Sequence, residues 1–134
     1  MKVCNALNTE QYDKIEGLSC IDYWQEKRFK LNPVFQPSCC KERKDEDIVG
    51  GHVIAFMQNP PRVYLVPMHR GCNSKGSDLP AFDINECLCE EIPPEDEKAI
   101  LDDPDNQHEI ERQRQLYRLE MKEKMKRISR LRKK

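Results

Sequence analysis

The chain has 134 residues, of which 35% are charged and 37% hydrophobic, and its formal net charge is −1. That is material for one modest domain plus an appendage, and a chain this polar either leaves segments solvated or staples a small core with metal or disulfides. A near-zero net charge excludes neither a nucleic-acid nor a membrane partner, but no apolar run approaches the ~18–20 residues of a membrane span, and the start has no apolar leader run. A cytoplasmic chain with no membrane contact is expected, so the seven cysteines are read as thiols or metal ligands. Their odd number agrees, because a secreted scaffold would pair them all.

Three regions separate by composition. Residues 1–38 read as an N-terminal helical segment. Asn8 or Thr9 caps a short helix over residues 10–16, and Gly17 stops it. Ile21, Trp24, Phe29 and Leu31 supply the apolar face of a second helix that ends before Pro33. Tyr23 and Trp24 are packing residues.

Residues 39–92 carry the chemistry. A strand over residues 49–57 is broken open by Gly50-Gly51. Asn59-Pro60-Pro61 turns the chain into a second strand over residues 63–66, rich in β-branched and aromatic side chains. Residues 72–77 begin a short helix or knuckle, and Phe82-Asp83-Ile84 is a brief third strand. Alternation along a strand places Cys87 and Cys89 on one face as core thiols.

Residues 93–134 read as a charged C-terminal helical arm. Pro93, Pro94 and Pro104 punctuate a short acidic helix over residues 95–101, and a long helix follows from about residue 106 to the end. Its apolar residues, Ile110, Tyr117, Met121, Met125, Ile128 and Leu131, make a thin stripe. Charge is distributed as a dipole. Residues 83–111 are strongly acidic, whereas residues 118–134 hold Arg118, Lys122, Lys124, Lys126, Arg127, Arg130, Arg132, Lys133 and Lys134 against Glu120 and Glu123. Such a basic end fits a phosphate backbone, a solvated face or an acidic docking partner, and it complements the helix macrodipole.

Two ligand-like pairs stand about thirty residues apart: the doublet Cys39-Cys40, and the knuckle His69-Arg70-Gly71-Cys72. Zinc takes four nitrogen or sulfur ligands in a tetrahedron, and two tight turns with two ligands each supply them. Adjacent side chains converge poorly on one ion, so either both doublet thiols ligate, or one does and Cys20 or Cys4 completes the set.

The run Gly50-Gly51-His52-Val53, followed by Val63-Tyr64-Leu65-Val66-Pro67-Met68-His69-Arg70-Gly71-Cys72-Asn73, resembles the HNH, or His-Me finger, endonucleases of bacteria and phages. The resemblance covers about a third of the chain and implies an α+β fold: a zinc-stapled ββα, treble-clef-like core with an N-terminal helical segment and a long C-terminal helix. It also implies metal-assisted phosphodiester hydrolysis, with His52 as general base, Asn73 as a ligand of Mg²⁺ and Lys75 on phosphate. The sequence departs from that pattern. Gly51 stands where a metal-binding Asp or His should precede His52, and Val63 or Tyr64 replaces an orienting Asn.

Two functions of different class are consistent with these features. In the first, an HNH-like zinc protein binds DNA or RNA through Lys75, Arg127, Arg130 and Arg132, with lost or weak hydrolysis. In the second, a non-catalytic interaction protein uses the zinc core as a platform, and the C-terminal helix docks a protein partner or a second copy.

Overall fold

The computed structural model describes residues 1–28, 38–40 and 47–132. The fold is α+β. Its centre is an antiparallel hairpin of β4 (Ile48–Ala55) and β5 (Arg62–His69), in register from Ile48↔His69 to Ala55↔Arg62. Short strands widen it to a five-stranded sheet of order β6-β1-β4-β5-β7: β1 is Lys2–Asn5, β6 Phe82–Asp83 and β7 Glu90–Glu91. A separate two-stranded hairpin joins β2 (Lys14–Ile15) to β3 (Leu18–Ser19).

The helices are α1 (Cys20–Lys27), the single turn α2 (Arg70–Asn73), α3 (Pro94–Asp102) and α4 (Pro104–Arg132). None of the described helices is long and apolar enough to cross a membrane.

Strand alternation divides the interior in two. Cys4, Ile54, Phe56, Val63 and Leu65 join Tyr23 and Trp24 of α1, Ile100 of α3 and Ile110 of α4 on one face. Val3, Val53, Ala55, Val66 and Met68 join Cys39, Cys72, Leu79 and Phe82 on the other. Thus α1, α3 and α4 cover one face, and the cysteine-rich corner covers the other.

Several expectations are corrected. The N-terminal segment is not wholly helical: β1 is an interior strand that pairs with β4 on one side and β6 on the other. Four residues are too few to display an alternation. The helix expected over residues 10–16 is a 3₁₀ turn, Glu10–Tyr12, followed by the β2–β3 hairpin. Glu16 and Gly17 both have positive φ, 54° and 79°, as the two-residue turn of a right-twisted hairpin requires. Gly17 therefore reverses a hairpin and does not end a helix.

The pair Gly50-Gly51 does not break β4. Gly50 lets α1 lie on the strand, since a methyl group there would sit 2.6 Å from Cys20 Cβ. Cys87 and Cys89 share no strand face. Residues Glu86–Leu88 form a 3₁₀ turn that exposes Cys87 and buries Cys89.

Helix α1 begins where the Ser19 side chain accepts from Asp22 N, and its buried Cys20, Tyr23 and Trp24 follow helical spacing. Trp24 Nε1 donates to Leu88 O at 2.8 Å, which ties the helix to the far end of the sheet. Phe29, Leu31 and Pro33 lie outside the described residues.

The root of α4 belongs to the body. Asn106 is fully buried: its Oδ1 accepts from Leu7 N at 2.6 Å, and its Nδ2 donates to Leu7 O at 3.0 Å and Ile100 O at 2.9 Å. Arg114 donates from Nε to Phe56 O and from Nη2 to Gln58 O, clamping the same helix to the β4–β5 turn. Beyond Tyr117 every described residue of α4 is exposed.

Replacing Asn106 by Ala leaves the half-buried Leu7 N and O without these partners and removes one of two bonds to Ile100 O, so Asn106→Ala should lower unfolding free energy by about 1–3 kcal/mol, as read from urea titration by circular dichroism. A loss under about 0.5 kcal/mol would show that these side-chain hydrogen bonds do not hold the root.

Candidate metal centre

At the end of β5 the backbone turns into α2, so His69 and Cys72 lie on successive sides of one tight turn. Arg70 N donates to Asp47 O at 2.9 Å and closes the turn against the start of β4. Asn5 Nδ2 donates to Cys72 O and to Gly76 O, both at 3.1 Å, and braces the turn from β1.

Residues 38–40 pass over this corner in a turn of their own. The ligand atoms of Cys39, Cys40, His69 and Cys72 all lie within 4.8 Å of one another. Cys40 Sγ is 3.1 Å and Cys39 Sγ 3.9 Å from His69 Nδ1.

This donor set can hold a metal ion. A tetrahedral ion with metal–sulfur bonds near 2.3 Å and a metal–nitrogen bond near 2.0 Å requires ligand–ligand edges of roughly 3.5–3.8 Å. The two sulfur–nitrogen distances bracket that value. Cys39, His69 and Cys72 are buried, so water does not compete freely for the ion. Burial raises the Cys39 thiol above its ordinary pKa and pushes Cys72 up to about 12, with the neighbouring thiols adding to the rise. A bound cation reverses that preference by displacing the thiol protons.

Both members of the doublet converge on the site, because they sit in a turn where strand alternation does not separate neighbours. Cys4 and Cys20, the alternatives for a fourth ligand, lie instead in the core on the α1 face. Cys20 Sγ donates to Tyr12 O and Asp13 O, and burial pushes its pKa up to about 11 and that of Cys4 to about 12.

His52 and Asn73, paired as base and metal ligand by the family resemblance, are not brought together. Gly51 faces the cysteine-rich side, where a methyl group would collide with Met68 Sδ and lie 2.9 Å from Asn73 Oδ1. His52 is the next residue along the strand and points to the other face, its ring edge-on to Tyr12 at 6.5 Å. It is 4% exposed, and its Nε2 has no partner among the described residues. The space beside Asn73 that a carboxylate at position 51 would use is occupied by Met68.

Of the basic residues proposed for nucleic acid, Lys75 is exposed beside α2, whereas Arg127, Arg130 and Arg132 stand on the free end of α4. The bracing Asn5 and the backbone of Asp47 carry no sequence signal of this role, because both act through contacts between distant segments. No protein-family model, curated protein or solved structure matches the chain.

Burial lowers the pKa of His52 to about 4. The unfolded chain protonates this residue below about 6.5, while the folded chain stays neutral there, so its contribution is complete above that pH and is lost as pH falls toward 4. The span corresponds to about 3 kcal/mol at the acid end. Relative to His52→Leu in the same metal state, the wild-type chain should lose stability between pH 6.5 and 4 in chemical denaturation. Parallel pH profiles for the two chains would show that His52 is protonated and accommodated in the fold.

Proposed function

We propose that the chain is a non-hydrolytic docking module. A zinc ion held by Cys39, Cys40, His69 and Cys72 staples an HNH-like hairpin and helical turn into a rigid platform, and the free end of α4 binds a macromolecular partner. The donor set of three sulfurs and one imidazole nitrogen supports zinc, which favours such closed tetrahedral sites as structural staples. The observation that carries the docking role is the contrast within α4: Asn106, Ile110 and Gln113 are buried at its root, while Met121, Met125, Ile128 and Leu131 stay exposed beyond it.

Hydrolysis has little support. Its general base would be a buried histidine on the face opposite Asn73, and an asparagine alone is a poor ligand for Mg²⁺, which prefers carboxylates.

A second reading rests on Arg118, Lys122, Lys126 and Arg130, which recur every four residues and line one side of the free helix. This ladder suits the phosphates of DNA or RNA, with an affinity that falls steeply with salt.

Two observations together test the docking reading. A chain ended after Tyr117 should keep its metal and its cooperative unfolding, because what it loses is exposed helix. The intact chain should leave supercoiled plasmid uncut in Mg²⁺ or Mn²⁺. Divalent-dependent nicking abolished by His52→Ala would contradict the proposal and restore the nuclease.

A further inference from the structure

The free end of α4, residues 118–132, is about 22 Å of helix, or four turns. At 3.6 residues per turn, Tyr117, Met121, Met125, Ile128 and Leu131 fall within about 120° of arc, on the side that carries Ile110 and Gln113 at the root. The apolar stripe thus continues the core-facing side past the edge of the body. Where helix and body part, an open groove of about 660 Å³ has an apolar floor that includes Phe56, Leu79 and Ala81 and a rim of mixed charge, Lys124 and Arg127 with Glu120 and Glu123. The root is fixed on both flanks, by Arg114 on the β4–β5 turn and by Arg112 Nη2 on Ser77 O at 3.1 Å, so stripe and groove hold one orientation.

Charge selects the occupant. Residues 118–132 hold seven basic side chains (Arg118, Lys122, Lys124, Lys126, Arg127, Arg130 and Arg132) and two acidic ones (Glu120 and Glu123), a net of +5. Lys124 lies inside the stripe itself, three residues after Met121 and four before Ile128. A helical seam with a lysine at a central position is stabilised by a carboxylate opposite it and penalised by another lysine. Pairing with the same segment of a second copy would set +5 against +5.

We propose that stripe and groove bind an acidic amphipathic helix of another protein, about four turns long, with leucine-like residues on one face and Glu or Asp flanking it. The inference rests on the docking reading and deepens it. The partner's apolar face lies along Met121, Met125 and Ile128, a carboxylate meets Lys124, and the end of the partner helix fills the groove against Leu79 and Ala81. A contact along four turns of one helix belongs to the small, transient class of interfaces.

The test uses the full-length, metal-loaded chain and fluorescence anisotropy with a designed helical peptide of about 20 residues, long enough to hold helical structure. The peptide has Leu at every third and fourth position and Glu on the flanks; a second version carries Lys on the flanks, and a 20-base-pair DNA duplex of arbitrary sequence is the competitor. The chain should bind the Glu-flanked peptide and not the Lys-flanked one. Met125→Gln with Ile128→Gln should weaken binding at least about tenfold, the size expected for removing central apolar anchors. Lys124→Glu should shift preference toward the Lys-flanked peptide. All three substitutions fall on exposed positions, and unchanged circular dichroism with retained metal verifies their folds.

Equal binding of both peptides, or unchanged binding by the Gln variants, would overturn the proposal. So would displacement of the peptide by the duplex at equal concentration, or a dimer in sedimentation that the Gln variants dissolve. Absence of peptide binding in a chain that neither cuts plasmid nor unfolds on truncation after Tyr117 would sink this inference alone. Plasmid nicking sensitive to His52→Ala would sink the docking reading whatever the peptide does.

Discussion

Three thiols and one imidazole drawn to a single point tie residues 38–40 to the β5–α2 turn, and on this convergence the cysteine-rich side of the sheet depends. The chain is lean in apolar residues, and a metal ion held by these four groups would supply, across about thirty residues of chain, what a thicker core supplies elsewhere. The staple needs a rigid seat. Asn5 provides it by bonding two carbonyls of the ligand turn from β1, and Asp47 O provides it from the start of β4. The interior position of β1 therefore has a purpose beyond completing the sheet: it carries the residue that fixes Cys72.

The sheet's two faces then divide the chemistry. One is closed by α1, α3 and the root of α4, and it takes His52 into an apolar layer where the ring is held neutral. The other keeps the ligand cluster, Gly51 and Asn73 together, but with Met68 in the space a carboxylate would need. A hairpin able to hold a metal at its end does not by itself make a hydrolytic site. That chemistry requires a base, a metal ligand and water within reach of one another, whereas here His52 packs beside Tyr12 on the α1 face and Asn73 lies beside Gly51 and Met68 on the other.

Features with a strong local cause were legible in the sequence. The β-branched run around Val63, the knuckle from His69 to Cys72 and the Gly- and Pro-free stretch after Pro104 each announce their element through residue type and spacing. Features decided between distant segments were not. The four residues of β1 are too few to alternate visibly, and Gly17 reads equally as a helix stop or a hairpin turn. The Cys39-Cys40 doublet converges only because its backbone turns, which spacing cannot reveal. The division of α4 into a buried root and a free end depends on Leu7, Phe56 and Ser77, residues remote in sequence that happen to meet it.

Functionally, the molecule has one fixed corner and one extended surface. On the proposed reading the ligand cluster is a staple, and the exposed stripe of α4 is the surface a partner covers. On the proposed reading a single zinc ion sits among three sulfurs and one nitrogen. X-ray absorption at the zinc edge, on protein purified without chelator, tests this directly. One zinc per chain with three sulfur neighbours near 2.3 Å and one nitrogen near 2.0 Å is the predicted result. A chain without stoichiometric metal, or a shell dominated by oxygen, would contradict it.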